Sequence, residues 1–194
     1  MRVALTYDDG PSLWTAQLLD ILDEYDAKAT FFVRGGAIRG NTHLLQRMVA
    51  GGHHIGNHSY SHRRLTALED EEVLEELMTT GQLIHDACDQ TVSLWRAPYL
   101  DTNERVNKLA ARLGLRHVGV TVDPSDWKSG DYGIYQYVLR DAADGAVVDL
   151  HDGLPADGGG GLPTRVATVT ATEWILQDLD AEFVTVPDLI GATV

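Results

Sequence analysis

Short apolar runs and amphipathic stretches alternate along this chain. Val3, Ala4 and Leu5 form a continuous apolar run, which is typical of a strand buried on both faces. Residues 14–25 instead space their apolar side chains along one face of a helix. The alternation continues to residue 186, with about seven strands and about six helices in all. It predicts an α/β fold whose parallel sheet is closed, or nearly closed, into a barrel.

The pattern also predicts where each element lies. We expect strands at residues 3–5, 29–33, 54–57, 92–95, 115–122, 146–150 and 182–186. We expect helices at residues 14–25, from the Asn41 or Thr42 cap to Gly51, and at 69–88, 103–113, 134–142 and 164–179. The glycine-rich segments 35–40 and 158–161 are predicted to be loops.

Length and composition favour one globular domain that spans residues 1–194. Apolar residues make up 44% and charged residues 23% of the chain, which indicates neither disorder nor a membrane protein. The formal net charge of -14 argues against nucleic acid or an anionic membrane surface as a partner, because their phosphates would be repelled. Neutral or cationic ligands fit this charge better, and no feature of the sequence specifies an oligomeric state.

The cysteine content and the N-terminus bear on the cellular compartment. Cys88 is the only cysteine, so no internal disulfide is possible, and we interpret it as a packing residue. The chain enters its first strand at once, without the charged and apolar segments of a signal peptide. As given, the sequence is therefore expected in the cytoplasm, although a secreted protein trimmed of its leader would look the same.

Polar and ionisable residues collect just past the ends of five predicted strands. Because the carboxyl ends of parallel strands meet at one rim of a barrel, we expect these side chains to share a site there. The alternative for the first pair is a solvated turn, since Asp-Gly-Pro is ordinary turn chemistry. The residues are Asp8 and Asp9, His58 and His62, Arg96, Asp123 and Asp126, and His151.

The two histidines have the spacing of metal ligands. His58 and His62 are four residues apart, so one helical turn would place both imidazoles on the same side. One added carboxylate would give two nitrogens and one oxygen, with an open position of the kind found in catalytic zinc sites. A hydrogen-bonded surface pair is the competing interpretation of this spacing.

Five motifs that occur in order resemble those of a known family. They are Thr6-Tyr-Asp-Asp-Gly10, His58-Ser-Tyr-Ser-His62, Arg96-Ala-Pro-Tyr99, Asp123-Pro-Ser-Asp-Trp127 and the segment that ends in His151. The chain resembles the polysaccharide deacetylases with a NodB homology domain, the fourth family of carbohydrate esterases, over roughly residues 3 to 190. The resemblance implies a distorted (β/α) barrel of about seven parallel strands.

The same resemblance implies a divalent metal and its ligands. Asp9, His58 and His62 would hold the metal, with zinc expected first and cobalt or another transition metal as alternatives. The open position would carry water, whose pKa a metal can lower toward about 7.

The resemblance further implies a division of catalytic roles. Asp8 would be the general base, and His151 would protonate the leaving group. The backbone N–H of Tyr99 would help to hold the oxyanion. Arg96 would lower the pKa of Asp8, and Asp126 would raise the pKa of His151.

Two positions near the last motifs need a choice between alternatives. Asp123 could replace Asp126 as the partner of the histidine, but the family pattern places that carboxylate directly before Trp127, which would be a pocket wall. The family usually has leucine where this chain has Asp149, at the pocket for the acetyl methyl group. Three explanations compete: Leu150 replaces the leucine through a local shift, Asp149 is paired with a cation, or the acyl group or substrate is unusual.

These observations predict an enzyme that removes acetyl groups from N-acetylated or O-acetylated sugars or polysaccharides. A second hypothesis is a cytoplasmic deacylase of a small molecule or a non-acetyl amide. A third is a non-catalytic carbohydrate-binding domain that stacks sugars on Trp14, Trp127, Tyr132 and Tyr135. A phosphoacceptor domain with Mg²⁺ at the acidic pair is a fourth, but it gives the two histidines no role.

Overall fold

The computed structural model describes residues 1–156 and 161–191 of the chain. Within this part of the chain the strands are β1 (Arg2–Asp8), β2 (Ala29–Val33), β3 (His54–Asn57), β4 (Leu94–Trp95), β5 (Arg116–His117), β6 (Ala146–His151) and β7 (Glu182–Phe183). The helices are α1 (Leu13–Glu24), α2 (Gly35–Ile38), α3 (Thr42–Ala50), α4 (Asp70–Cys88), α5 (Glu104–Arg112), α6 (Asp131–Asp141), α7 (Val166–Asp178) and α8 (Val186–Ile190).

All seven strands belong to one parallel sheet that curls toward a barrel. Their order is β5-β4-β3-β2-β1-β6, and β7 pairs with β1. The chain between residues 118 and 122 spans the gap between the two ends of the sheet: the Val118 N–H donates to Trp95 in β4, and Val122 bridges to Val148 in β6. The prediction of an α/β fold with about seven parallel strands in a distorted barrel is confirmed.

The central strand β1 separates an apolar core from a polar interior. Leu5 and Tyr7 pack into the main core between the sheet and the surrounding helices, and the Tyr7 ring stacks on Phe31 at 5.2 Å. The alternate residues Thr6 and Asp8 point to the other face, because successive side chains of a strand alternate. The inside of the barrel therefore becomes polar toward the carboxyl end of the strands.

Predicted and observed bounds differ by a few residues at several elements, and three segments differ further. The strand expected at 115–122 is shortened to Arg116–His117, because the residues after it leave β4 to reach β6. The glycine-rich segment 35–40 contains α2. The last strand ends at Phe183, and Thr185 instead caps α8 by accepting a hydrogen bond from Asp188. Most of the predicted loop at 158–161 lies outside the described residues.

Several helices begin with side-chain caps, although Asn41, at the start of α3, makes no capping hydrogen bond with its side chain. Ser12 caps α1 in a reciprocal arrangement with Thr15, and Asn103 caps α5. Glu69 and Glu72 form the corresponding box at the start of α4. Among the described residues, no helix combines the length and apolar character that a membrane crossing requires.

Gly153 should be intolerant of any side chain. A Cβ at this position would lie 2.3 Å from the carbonyl carbon and oxygen of Asp9. Gly153→Ala is therefore expected to lower the free energy of unfolding by about 1–3 kcal/mol. Gly133→Ala is the matched control, because Gly133 lies in α6 with no atom within 4 Å of the added Cβ, and alanine there should stabilise the helix. Denaturant unfolding measures both, and equal stability of Gly153→Ala and the wild type would contradict this packing.

Candidate active site

A cavity of about 510 Å³ opens at the carboxyl ends of the strands. Arg96 and Asp126 lie behind its wall and are buried. The structure therefore brings the side chains from the five predicted strand ends together at one rim. Nine residues singled out from the sequence line the cavity: Asp8, Asp9, His58, His62, Tyr99, Asp123, Trp127, Asp149 and His151.

Asp9, His58 and His62 form a group that could hold a metal ion. One ligand atom of each lies within 4.8 Å of the others, and all three residues are buried. Oδ1 of Asp9 lies 3.1 Å from Nε2 of His62 and 3.8 Å from Nε2 of His58. Tetrahedral bonds of about 2.1 Å to zinc would separate ligand atoms by about 3.4 Å. These distances and the ligand types fit a zinc-like cation.

Two further features of this group favour a cation. Oδ1 of Asp9 is buried and has no hydrogen-bond partner within residues 1–156 and 161–191, which is costly unless a cation compensates it. Nδ1 of His58 lies 3.0 Å from the carbonyl oxygen of Arg96, so it carries the proton and leaves the lone pair of Nε2 available. Burial lowers the pKa of His58 to about 3, which keeps the imidazole neutral, as a metal ligand must be.

The loop between the two histidines is not a helical turn. Ser59 and His62 have φ values of 58° and 67°, in the left-handed region. Asn57 stabilises the turn by accepting a hydrogen bond from the Ser59 N–H, and Ser59 Oγ accepts one from the His62 N–H. This turn, and not helical periodicity, brings the two imidazole rings together, with their centroids 5.2 Å apart. The prediction of a helical turn between the two histidines was therefore wrong.

Glu76 holds the same loop from the side of α4. Its Oε2 accepts hydrogen bonds from the backbone N–H groups of Tyr60 and Ser61, each at 2.8 Å, and its Oε1 accepts one from the Ser61 hydroxyl. The sequence pattern did not single out this carboxylate among the acidic residues of the helix. The sequence does indicate that Glu76 is buried, because its spacing from Val73 and Thr80 places it on the same face of α4 as those residues.

Arg96 is fully buried, and its Nη1 faces three acceptors inside the barrel. Its Nη1 lies 2.8 Å from Oδ1 of Asp8, 3.1 Å from Oδ1 of Asp149 and 2.7 Å from Oγ1 of Thr6. The guanidinium also stacks on Phe32, 4.2 Å from the ring centroid. Asp149 is thus paired with a cation, as one of the three explanations for its presence requires.

The two carboxylates share one guanidinium, and their pKa values reflect this. Burial raises the pKa of Asp8, and the ion pair with Arg96 opposes the shift without cancelling it. Burial outweighs the ion pair, so the pKa of Asp8 is raised on balance, although Arg96 itself lowers it as the sequence predicted. Burial, followed by the nearby charge of Asp8, raises the pKa of Asp149 to about 7.

His151 is paired with Asp126 on the opposite side of the cavity. Nδ1 of His151 lies 2.7 Å from Oδ1 of Asp126, whose Oδ2 accepts hydrogen bonds from the His151 N–H and from Thr168. Burial alone would lower the pKa of His151, but the charge of Asp126 overrides it and raises the pKa well above its usual value. Asp123 accepts a hydrogen bond from the Ser125 N–H, in its own turn.

Leu150 does not belong to the cavity wall. It is fully buried in the main core, which also contains Tyr7 and Val148. Side chains alternate along β6, so Asp149 and His151 face the cavity while Leu150 faces the helices. The predicted contact of Leu150 with substrate, and the local shift that would have produced it, are not supported.

Tyr99 and Trp127 supply the aromatic part of the wall. The Tyr99 ring packs edge-on against His62, with centroids 4.6 Å apart, and its φ of 58° turns the chain sharply at this point. The other aromatic residues proposed for sugar stacking lie elsewhere: Tyr132 and Tyr135 are on α6, where Tyr135 packs against Trp174. These side chains do not combine with Trp127 into one platform.

Asp152 and Arg165 support the first strand end and were missed in the sequence. Asp152 is buried, and its carboxylate accepts hydrogen bonds from the Gly10 N–H and the Thr15 hydroxyl. Its burial raises its pKa to about 7. Arg165 donates from Nε to the Gly153 carbonyl at 2.8 Å, and the Gly153 N–H donates to Asp8. The Asp directly after His151 was the sequence signal for this network.

Comparisons with known proteins identify the family. The sequence model described as "Polysaccharide deacetylase" matches residues 1–118. The chain belongs to the polysaccharide deacetylase family. The resemblance noted from the five motifs is thereby confirmed, and membership makes this protein a hydrolase.

Three relatives of this polysaccharide deacetylase illustrate the similarity. A chitooligosaccharide deacetylase of Rhizobium leguminosarum bv. trifolii is 40% identical over 158 residues, covering 80% of this chain and 74% of that protein. The peptidoglycan-N-acetylglucosamine deacetylase PgdA of Listeria monocytogenes serotype 1/2a (strain 10403S) is 36% identical over 98% of this chain, which spans 39% of the Listeria protein. The structure of the peptidoglycan deacetylase PdaC from Bacillus subtilis matches with a TM-score of 0.87 and 32% identity, over 97% of this chain and 89% of that one.

Glu76 should control how tightly the candidate group of Asp9, His58 and His62 binds a metal. Glu76→Ala removes the acceptor of two loop N–H groups, so the two histidines lose their fixed separation, and zinc affinity is expected to fall at least about tenfold. Glu75→Ala, an exposed position on the same helix, should change the affinity less than twofold. Competition with a chromophoric chelator measures both, with circular dichroism to confirm folding. Unchanged zinc affinity in a folded Glu76→Ala variant would contradict the role given to this carboxylate.

Proposed function

We propose that this protein is a metal-dependent hydrolase that removes acetyl or similar short acyl groups from N-acylated or O-acylated sugars or polysaccharides. The observation that carries the proposal is a single cavity with a candidate metal group, a buried base and a charged acid. The candidate metal group consists of Asp9, His58 and His62, the base is Asp8, and the acid is His151. No other arrangement of donors and acceptors in the described residues offers this combination.

Asp9, His58 and His62 would hold the cation, with zinc expected first and cobalt or another transition metal as alternatives. When bound, a divalent cation supplies Lewis acidity to the acyl carbonyl and makes water a stronger acid at neutral pH. The protein's part is to keep the His58 imidazole neutral and to present Oδ1 of Asp9, which has no hydrogen-bond partner among the described residues, to the cation.

Asp8 would accept a proton from the attacking water. Its Oδ1 is fixed by Arg96 at 2.8 Å, and its Oδ2 lies 3.7 Å from Nε2 of His58, beside the candidate metal group. Burial raises the pKa of Asp8, which makes it a stronger base than an exposed aspartate. The backbone N–H of Tyr99 is proposed to stabilise the oxyanion that forms on the acyl oxygen.

His151 would complete the reaction from the opposite side. Asp126 occupies Nδ1, so the proton on Nε2 is the one available to the substrate. As the bond between the acyl carbon and nitrogen or oxygen breaks, that proton passes to the leaving amine or alcohol. Water thereby adds across the bond, and the products are a carboxylate and the free amino or hydroxyl group of the sugar.

The character of the substrate is inferred from relatives and from charge. The similar proteins are named for activity on chitooligosaccharides and on peptidoglycan N-acetylglucosamine. A net charge of -14 favours a neutral or cationic glycan over a polyanion. Trp127 and Tyr99 at the cavity wall offer faces on which a sugar ring can pack.

Acetate release tests the proposed activity. The purified protein is expected to release acetate from N-acetylglucosamine oligomers or acetylxylan, to lose this activity with a chelator, and to regain it with zinc or cobalt. Asp8→Asn should lower kcat/KM at least about a hundredfold, because the base is lost, while zinc binding persists. The proposal fails if metal-loaded protein releases no carboxylate from any acylated sugar, or if metal-free protein is equally active.

The dependence of activity on pH tests the acid. Asp126→Asn removes the charge that raises the pKa of His151, so the imidazolium is lost at lower pH. The alkaline limb of the kcat/KM profile is expected to move down by roughly one pH unit or more. Asp123→Asn should leave the position of that limb unchanged, because Asp123 does not bond to His151. An unmoved limb in Asp126→Asn would show that another group supplies the proton.

A further inference from the structure

We propose that Asp149 selects for an acyl group with a hydrogen-bond donor on its α-carbon, such as the hydroxyl of a glycolyl group, over the plain methyl of acetyl. The inference rests on the proposed hydrolase function and names the acyl class that this cavity fits. It treats Asp149 as a specificity-determining residue and leaves the roles of Asp8 and His151 as stated.

The strand register places Asp149 one layer beneath the reacting groups. Asp8 in β1 lies opposite His151 in β6, and Thr6 lies opposite Asp149 two residues earlier on the same strands. All four side chains face the inside of the barrel. The floor of the cavity is therefore formed by the layer that contains Asp149.

The acyl group must point toward this floor. The sugar is too large for the interior of the barrel and has to remain at the open mouth. The acyl carbon has to lie between the base, Asp8, and the acid, His151, at the level of the upper layer. The substituent of the acyl carbon then points away from the sugar and approaches the layer of Asp149.

The carboxyl group of Asp149 has an acceptor to offer there. Its Oδ1 faces Arg96, which leaves Oδ2 for a second partner. Thr6, the other polar side chain of this layer, is committed, because its hydroxyl donates to the Val148 carbonyl and accepts from Arg96. A carboxyl group offers an acceptor oxygen in either protonation state, so this property does not depend on its titration.

Asp149 is not needed to neutralise Arg96. The guanidinium already has a carboxylate partner in Asp8 at 2.8 Å, so a second buried carboxylate exceeds the charge to be balanced. A methyl group packed against that carboxylate would desolvate it without replacing its hydrogen bonds. An α-hydroxyl would donate a hydrogen bond to that carboxylate, and the methyl group of acetyl cannot.

The reaction is the same hydrolysis with a different product. Water adds across the bond between the acyl carbon and the sugar nitrogen, which releases glycolate and the free amino sugar. No oxidant or further reactant is required.

A paired-substrate assay tests the inference. N-glycolyl and N-acetyl forms of the same glucosamine trimer are compared by kcat/KM with zinc-loaded wild type, Asp149→Leu and Asp149→Asn. The wild type is expected to prefer the glycolyl substrate at least about tenfold, and Asp149→Leu to lose or invert this preference. Asp149→Asn, which keeps an acceptor oxygen, should retain part of it. Asp180→Asn, at an exposed position, controls for loss of one charge.

Binding of the two free acids supplies a second readout. Glycolate is expected to bind the zinc-loaded wild type more tightly than acetate in calorimetric titration, and Asp149→Leu should lose most of this difference. A wild type that prefers acetyl and acetate overturns the inference even if Asp149→Leu does not fold. Activity on acetyl substrates with no glycolyl preference rejects this inference alone, whereas inactivity on both substrates rejects the proposed function and leaves acid binding to decide the role of Asp149.

Discussion

The buried guanidinium of Arg96 is the interaction on which the site depends. It leaves the end of β4, crosses the barrel interior and contacts Asp8 of β1 and Asp149 of β6. A fully buried charge is tolerated only when it is paired and hydrogen-bonded, and here the partners come from two neighbouring strands. The backbone carbonyl of Arg96 also accepts a hydrogen bond from Nδ1 of His58. Arg96 therefore orients both the base, Asp8, and a candidate metal ligand, His58.

The supporting contacts extend this arrangement outward through backbone groups. Glu76 fixes the loop between the two histidines, while the N–H groups of Asp152 and Gly153 donate to the Asp8 carbonyl. Most partners of these contacts are main-chain atoms, so the positions of the reacting side chains follow from the path of the chain. Precise placement on such a rigid frame is what general acid and base chemistry requires.

The sequence predicted the identity of the residues at the site more accurately than the geometry that brings them together. A continuous apolar run located β1 and its acidic end, and the side chains that follow the five predicted strands line one cavity or lie behind its wall. The left-handed turn at Ser59 could not be read from the spacing of His58 and His62, since helices share that spacing. Glu76 was hidden because a carboxylate on an acidic helix is usually solvated, and only the fold shows the loop N–H groups that it meets.

The strand register explains why Asp149 cannot be exchanged for its neighbour by a small shift. A slip of one residue along β6 would turn Leu150 inward, but it would also turn His151 outward and separate it from Asp126. The register is fixed at both ends, by the pairing of Val3 with Ala146 and by the hydrogen bond from the His151 N–H to Asp126. A chain that keeps its acid in place therefore keeps residue 149, and not Leu150, at the floor of the cavity.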